Sequence, residues 1–165
     1  MEPLTETQVR SSFVNATKGQ ISRMTVPQDL ATRSWDDVDM LAWLDPKNPA
    51  HAHLVIPTPD HGPVGVRLKR ATGGEGLRRK RMCSLCTTTH GADGVGLMVA
   101  PRAGRAGRDG NTVGVEMCTS LDCSLYARGL LAPPSATVIH ETLSVESRVA
   151  RLRHNLLTFV DRVMR

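Results

Sequence analysis

Residues 83–129 read CSLCTTTHGADGVGLMVAPRAGRAGRDGNTVGVEMCTSLDCSLYARG, and the four cysteines near the ends of this run decide the fold. Cys83-x-x-Cys86 is followed, after 31 residues, by Cys118-x-x-x-x-Cys123, and the chain has no other cysteine. A Cys-x-x-Cys turn sets two thiolates on one side of a tight knuckle. Two such pairs complete a tetrahedral site with bonds of about 2.3 Å to zinc. Thiolate is a soft ligand matched to zinc, which brings no redox chemistry. A disulfide framework would need an oxidising compartment, and a redox Cys-x-x-Cys would leave the second pair idle. An iron–sulfur cluster is compatible with four thiolates, but the order of elements between the pairs favours zinc.

Those elements are a strand, VGLMVA (95–100), a loop, PRAGRAGRDGN (101–111), and a second strand, TVGVEM (112–117). The second cysteine pair then runs into SLDCSLYARGLL, read as a helix capped by Ser120 and stopped near Gly129. Knuckle, β-hairpin and helix, in that order, are the parts of a treble-clef zinc finger. Four thiolates leave no open metal position for water, so one structural Zn2+ is expected and not a catalytic one. Arg78, Arg79, Lys80 and Arg81, just before Cys83, would help balance the negative tetrathiolate centre. His90 follows Cys86 by four residues and reads as an ordinary loop residue, although it is close enough to serve as a ligand or to support one.

Outside this unit the pattern is simpler. Thr5 to about Gly19 reads as a helix with Val9, Phe13 and Ala16 on one face. SWDDVDMLAWLDPKNP (34–49) reads as a turn of helix or a short extended piece. In it, Asp36, Asp37 and Asp39 suit a solvated helix start, where acids complement the dipole. Residues 50–56 and 63–70 read as a strand pair joined through DHG, with His51 and His53 on one surface face. From Val145 to Met164 apolar residues step by three and four, the mark of an amphipathic helix, with Ser144 as its cap. The fold class is therefore α+β: small antiparallel sheets, a treble-clef finger and a long C-terminal helix. Residues 1–30 form an N-terminal helical segment and 31–165 the zinc-finger domain.

Charge narrows the function. The chain carries +5, but residues 1–60 hold 5 basic and 8 acidic side chains, residues 61–110 hold 10 and 3, and the remainder 6 and 5. A basic excess confined to the middle fifty residues points to a polyanionic partner. Arg102, Arg105 and Arg108 recur every third position in the 101–111 loop; with Arg78, Arg79 and Lys80 they are the candidate partner-binding residues. Phe, Tyr and Trp are absent between Trp43 and Tyr126, which argues against single-strand base stacking. The sequence has no phosphate-binding Gly-Lys-Ser/Thr loop and no Gly-x-Ser-x-Gly nucleophile elbow. It has no run long enough to span a membrane and no secretory signal, so a cytoplasmic protein is expected.

The cysteine run, with MLAWLDPKNPAHAHLVIP upstream and SVESRVARLRHNLLTFVDRVM downstream, resembles the FBP-type treble-clef zinc-finger domain of elongation factor G-binding proteins, the fusidic-acid resistance (FusB-type) family. The resemblance covers roughly residues 30–165. It implies a non-enzymatic protein whose metal ligands are Cys83, Cys86, Cys118 and Cys123. Such a protein binds elongation factor G, favours its release from the ribosome and takes no small-molecule substrate. The competing expectation is a zinc-finger RNA- or ribosome-binding protein acting through the same basic surface without the factor.

Overall fold

A computed structural model describes residues 1–71, 80–132 and 142–165. Its centre is a five-stranded, wholly antiparallel sheet. The strands are β1 (Leu41–Asp45), β2 (Asn48–Thr58), β3 (Gly62–Arg70), β6 (Val95–Pro101) and β7 (Thr112–Cys118), in the order β1-β2-β3-β6-β7. β4 (Arg81–Met82) and β5 (Thr89–His90) pair separately around the first cysteine knuckle. Both expected hairpins form. β2 and β3 pair from His51↔Lys69 to Thr58↔Gly62, and β6 and β7 from Val95↔Cys118 to Pro101↔Thr112.

Alternation along these strands makes two apolar faces. Ala52, Leu54, Ile56, Val64, Val66, Leu68, Met98, Ala100, Val113, Val115 and Met117 belong to one buried cluster. Helix α5 (Val145–Met164) covers it with Leu152, Leu156, Phe159, Val160 and Val163, the stripe the sequence predicts. The Ser144 hydroxyl accepts from the Ser147 backbone N–H, which makes it the expected cap. The zinc knuckle is tied to the same helix: the Asn155 side-chain amide donates to the Leu85 carbonyl at 2.9 Å.

The opposite face is covered by the N-terminal segment. Leu4, Val9, Phe13, Met24, Val26 and Trp35 pack on Leu41, Trp43 and Val55 as a second cluster. The single helix expected from Thr5 to Gly19 is instead two short ones, α1 (Glu6–Ser11) and α2 (Lys18–Arg23), each opened by a capping box at Thr5 and Thr17. The break has a tertiary cause. Residues 12–14 leave the helix and lie beside β3: the Gly65 N–H donates to the Ser12 carbonyl, and the Val14 N–H to the Gly65 carbonyl. Asn15 then uses its side chain as a piece of strand. It donates to the Arg67 and Pro101 carbonyls and accepts from the Arg67 N–H, bridging β3 to β6 where their backbones diverge.

This arrangement corrects the reading of the histidine pair. His53 is 1% exposed, stacked on Trp43 with ring centres 5.0 Å apart and met edge-on by Phe13. Burial pulls its pKa down to about 4, so it is neutral at pH 7. It is a core aromatic residue and not a surface one.

Candidate metal centre

The knuckle residues Cys83–Cys86 sit between β4 and β5, Cys118 ends β7, and Cys123 opens helix α4 (Cys123–Arg128). All four are buried and unpaired by disulfides, and their sulfurs lie within 4.8 Å of one another. Cys83 and Cys123 sulfurs are 3.7 Å apart, and Cys86 and Cys118 sulfurs 3.5 Å apart. A tetrahedron with about 2.3 Å metal–sulfur bonds has edges of about 3.8 Å, so the observed spacing fits one Zn2+. The Leu85 and Cys86 backbone N–H groups both point at the Cys83 sulfur, at 3.4 and 3.5 Å, as a knuckle that stabilises thiolate requires.

The electrostatics of the bare cluster ask for a cation. The Cys83 thiol is held far below its ordinary value by hydrogen bonding from Cys118, then Cys123 and Cys86. Cys123 is driven well above its own, first by its hydrogen bond to Cys118 and then by Cys83, Cys86 and burial. Cys86 is likewise pulled down and Cys118 pushed up by their mutual hydrogen bonds, so two sulfurs ionise at the expense of the other two. A bound dication lets all four ionise together, releasing protons as it binds.

His90, expected as an ordinary loop residue, ends β5 and supports the cysteine centre. It is buried, and its Nε2 lies 3.2 Å from the Cys118 sulfur while Tyr126 meets its ring edge-on at 5.1 Å. Burial lowers its pKa, which favours the neutral ring; with the proton on Nε2 it donates to the sulfur. Gly94 makes room for it, because a Cβ there would lie 2.6 Å from the Cβ of His90.

The N-cap position of α4 is Asp122, not Ser120, and no side chain caps it; Gly129 ends it as expected. The helix is locked to the rest of the chain by a residue whose role the sequence hid. Asp39 is fully buried, with its carboxylate clasped by Arg128 of α4 (Nε to Oδ2 3.0 Å, Nη2 to Oδ1 3.0 Å) and by Arg153 of α5 (2.8 Å). Its backbone N–H donates to the Ser124 hydroxyl, next to Cys123. Asp39 therefore joins the segment before β1 to both helices beside the metal centre and is not part of a solvated acidic run.

The arginine loop sits at the tip of the β6–β7 hairpin, whose stems run to the two cysteine pairs. It is wound into a short helix, α3 (Gly104–Arg108). Gly107 is essential to the winding, since a Cβ there would fall 1.8 Å from the Arg102 carbonyl oxygen. The loop is anchored to the end of α5: the Arg102 guanidinium donates to the Arg162 carbonyl and the Ala103 N–H to the Val163 carbonyl, both at 2.7 Å. Arg105 and Arg108 project from α3 into solvent. Lys80 directly precedes β4 and is exposed, and Arg81 pairs with Glu116. Arg78 and Arg79 lie outside the described residues.

A knuckle, a hairpin and a helix around one buried four-thiol centre define a treble-clef zinc-finger protein with a structural zinc. More specifically, the chain belongs to the FBP C-terminal treble-clef zinc-finger family, which it matches over residues 8–163. The fold is also similar to a solved structure described as that of the fusidic acid resistance protein FusC (TM-score 0.57, 12% identity). That likeness covers 99% of this chain and 60% of the other, so the chain spans less than two thirds of FusC's length. No curated protein matches the sequence.

Proposed function

We propose that this protein is a non-enzymatic, cytoplasmic translation factor partner: it binds elongation factor G through the zinc-bearing module and favours its release from the ribosome. The observation that carries the reading is the module itself. The metal thiols are buried and mutually engaged, which suits a metal that staples and does not react. The hairpin, α4 and α5 are all fixed to that staple. Membership of the FBP zinc-finger family and a fold shared with a fusidic acid resistance protein support the same reading. No described helix is long and apolar enough to cross a membrane.

The test is a release assay. Ribosomes carrying elongation factor G stalled by fusidic acid are incubated with zinc-loaded protein, and factor remaining on the ribosome is measured after sedimentation. Stoichiometric protein should lower the bound fraction several-fold. An unchanged bound fraction would reject the release activity.

A further inference from the structure

The Ala103–Val163 and Arg102–Arg162 bonds tie the two residues just before α3 to the last turn of α5. Arg105 and Arg108 therefore lie within a few residues of this tie on one segment, and Arg162 and Arg165 on the other, more than fifty residues further along the chain. All four side chains are exposed, Arg105 at 88%. Two acids lie among them. Asp109 is 3.5 Å from Arg105, and Asp161 is 3.5 Å from Arg165; both pairs are solvent-facing and hold the guanidinium groups only weakly. Arg102 plays a different part. Its guanidinium and the Ala103 N–H satisfy carbonyls at the end of α5, where the helix dipole would otherwise set negative charge against the cluster.

We propose that this four-arginine corner is a contact site for the phosphate backbone of RNA, with Arg102 as its positioning residue. Two features favour RNA over an acidic protein face. A protein interface is built around aromatic or aliphatic anchors that become fully buried. Here the exposed side chains of α3 and the last turn of α5 are charged or small, apart from Met164 at the rim. Guanidinium forks need no apolar anchor to hold phosphate. Arg105 and Arg108 are three apart on one turn, where Cβ atoms lie about 5–6 Å from each other, so both long side chains leave the same side of α3 and can reach neighbouring phosphates of one strand. The corner lacks aromatic side chains, so it reads backbone and not base sequence.

The test needs no elongation factor and so stands or falls apart from the release activity. Zinc-loaded full chain is titrated into a fluorescent RNA duplex of arbitrary sequence at several salt concentrations, followed by anisotropy. The partner variant is Arg105→Ala/Arg108→Ala/Arg162→Ala. The parent should bind with a steep log–log salt dependence. The variant should bind at least tenfold more weakly at low salt, with the slope reduced by roughly 2–3, as expected for three lost phosphate contacts. Arg105→Gln/Arg108→Gln, which leaves the α5 end untouched, should show about two thirds of that slope change and melts with the parent. Absence of RNA binding at low salt, or an unchanged slope in either variant, overturns the proposal. So does weakened binding of labelled polyglutamate with unaltered RNA binding, which would assign the corner to an acidic protein.

Discussion

Replacing Asp39 tests the clasp that holds the zinc-side helices to the sheet. In Asp39→Asn the carboxylate that faces Arg128 and Arg153 becomes an amide with one acceptor and one donor end. The Arg128 pair is bidentate and its aspartate is fully buried, so removing the charge leaves a partly buried guanidinium without its partner. Breaking such a pair costs about 3 kcal/mol. Arg153 is more than half exposed, and its share is worth well under 1 kcal/mol after screening by water. For a chain of this length 3 kcal/mol corresponds to a fall in Tm of roughly 6–12 °C. Asp36→Asn removes the same charge three residues earlier, from an exposed carboxylate that acts on Arg128 only as a minor long-range attraction, and should shift Tm by less than about 2 °C. Thermal unfolding of the zinc-loaded variants at pH 7, followed by circular dichroism, makes the comparison. Equal Tm values for Asp39→Asn and Asp36→Asn would refute the clasp, and Arg128→Ala in the Asp39→Asn background should add little if the two act as one unit.

Two further outcomes follow from the buried groups. Cys118→Ser should lose several kcal/mol and its zinc stoichiometry, because zinc binding in small thiolate sites is worth about 10 kcal/mol or more; parent-like melting with metal bound would count against the centre. His53 is held neutral in the fold, with a pKa of about 4 against the ordinary 6.5. The unfolded chain therefore gains a proton first as pH falls, and stability drops between pH 6.5 and 4. Between pH 7 and 5.5 this amounts to about 1 kcal/mol. Urea unfolding should show that loss in the parent and not in His53→Leu, and parallel pH profiles would place His53 outside the core.

The parts that were legible in the sequence are those fixed by spacing over short range. The cysteine pairs, the hairpin between them and the three-four stepping of Val145 to Met164 each carry their geometry within a few turns of chain. What could not be read depends on distant partners. Asp39 sits in an acidic run that looks solvated, and its guanidinium partners lie 89 and 114 residues away. Alternation put His53 on one face of β2, but nothing local says that residues 1–35 cover that face. Phe13 fits a helical stripe; pairing with Gly65 of β3 overrides that propensity and ends α1. His90 was four residues from a ligand, and only the fold shows its ring turned onto the Cys118 sulfur. In the arginine loop, Gly107 permits the tight winding of α3, which the local sequence does not specify as a helix.

The function itself is tested most directly by isothermal titration of purified elongation factor G with the zinc-loaded protein at low salt, repeated after zinc is stripped by a chelator. One-to-one binding that weakens with salt and disappears with the metal is the expected result. Heat-silent titration confirmed by absence of co-migration on gel filtration, with zinc in place, would contradict the proposed partnership.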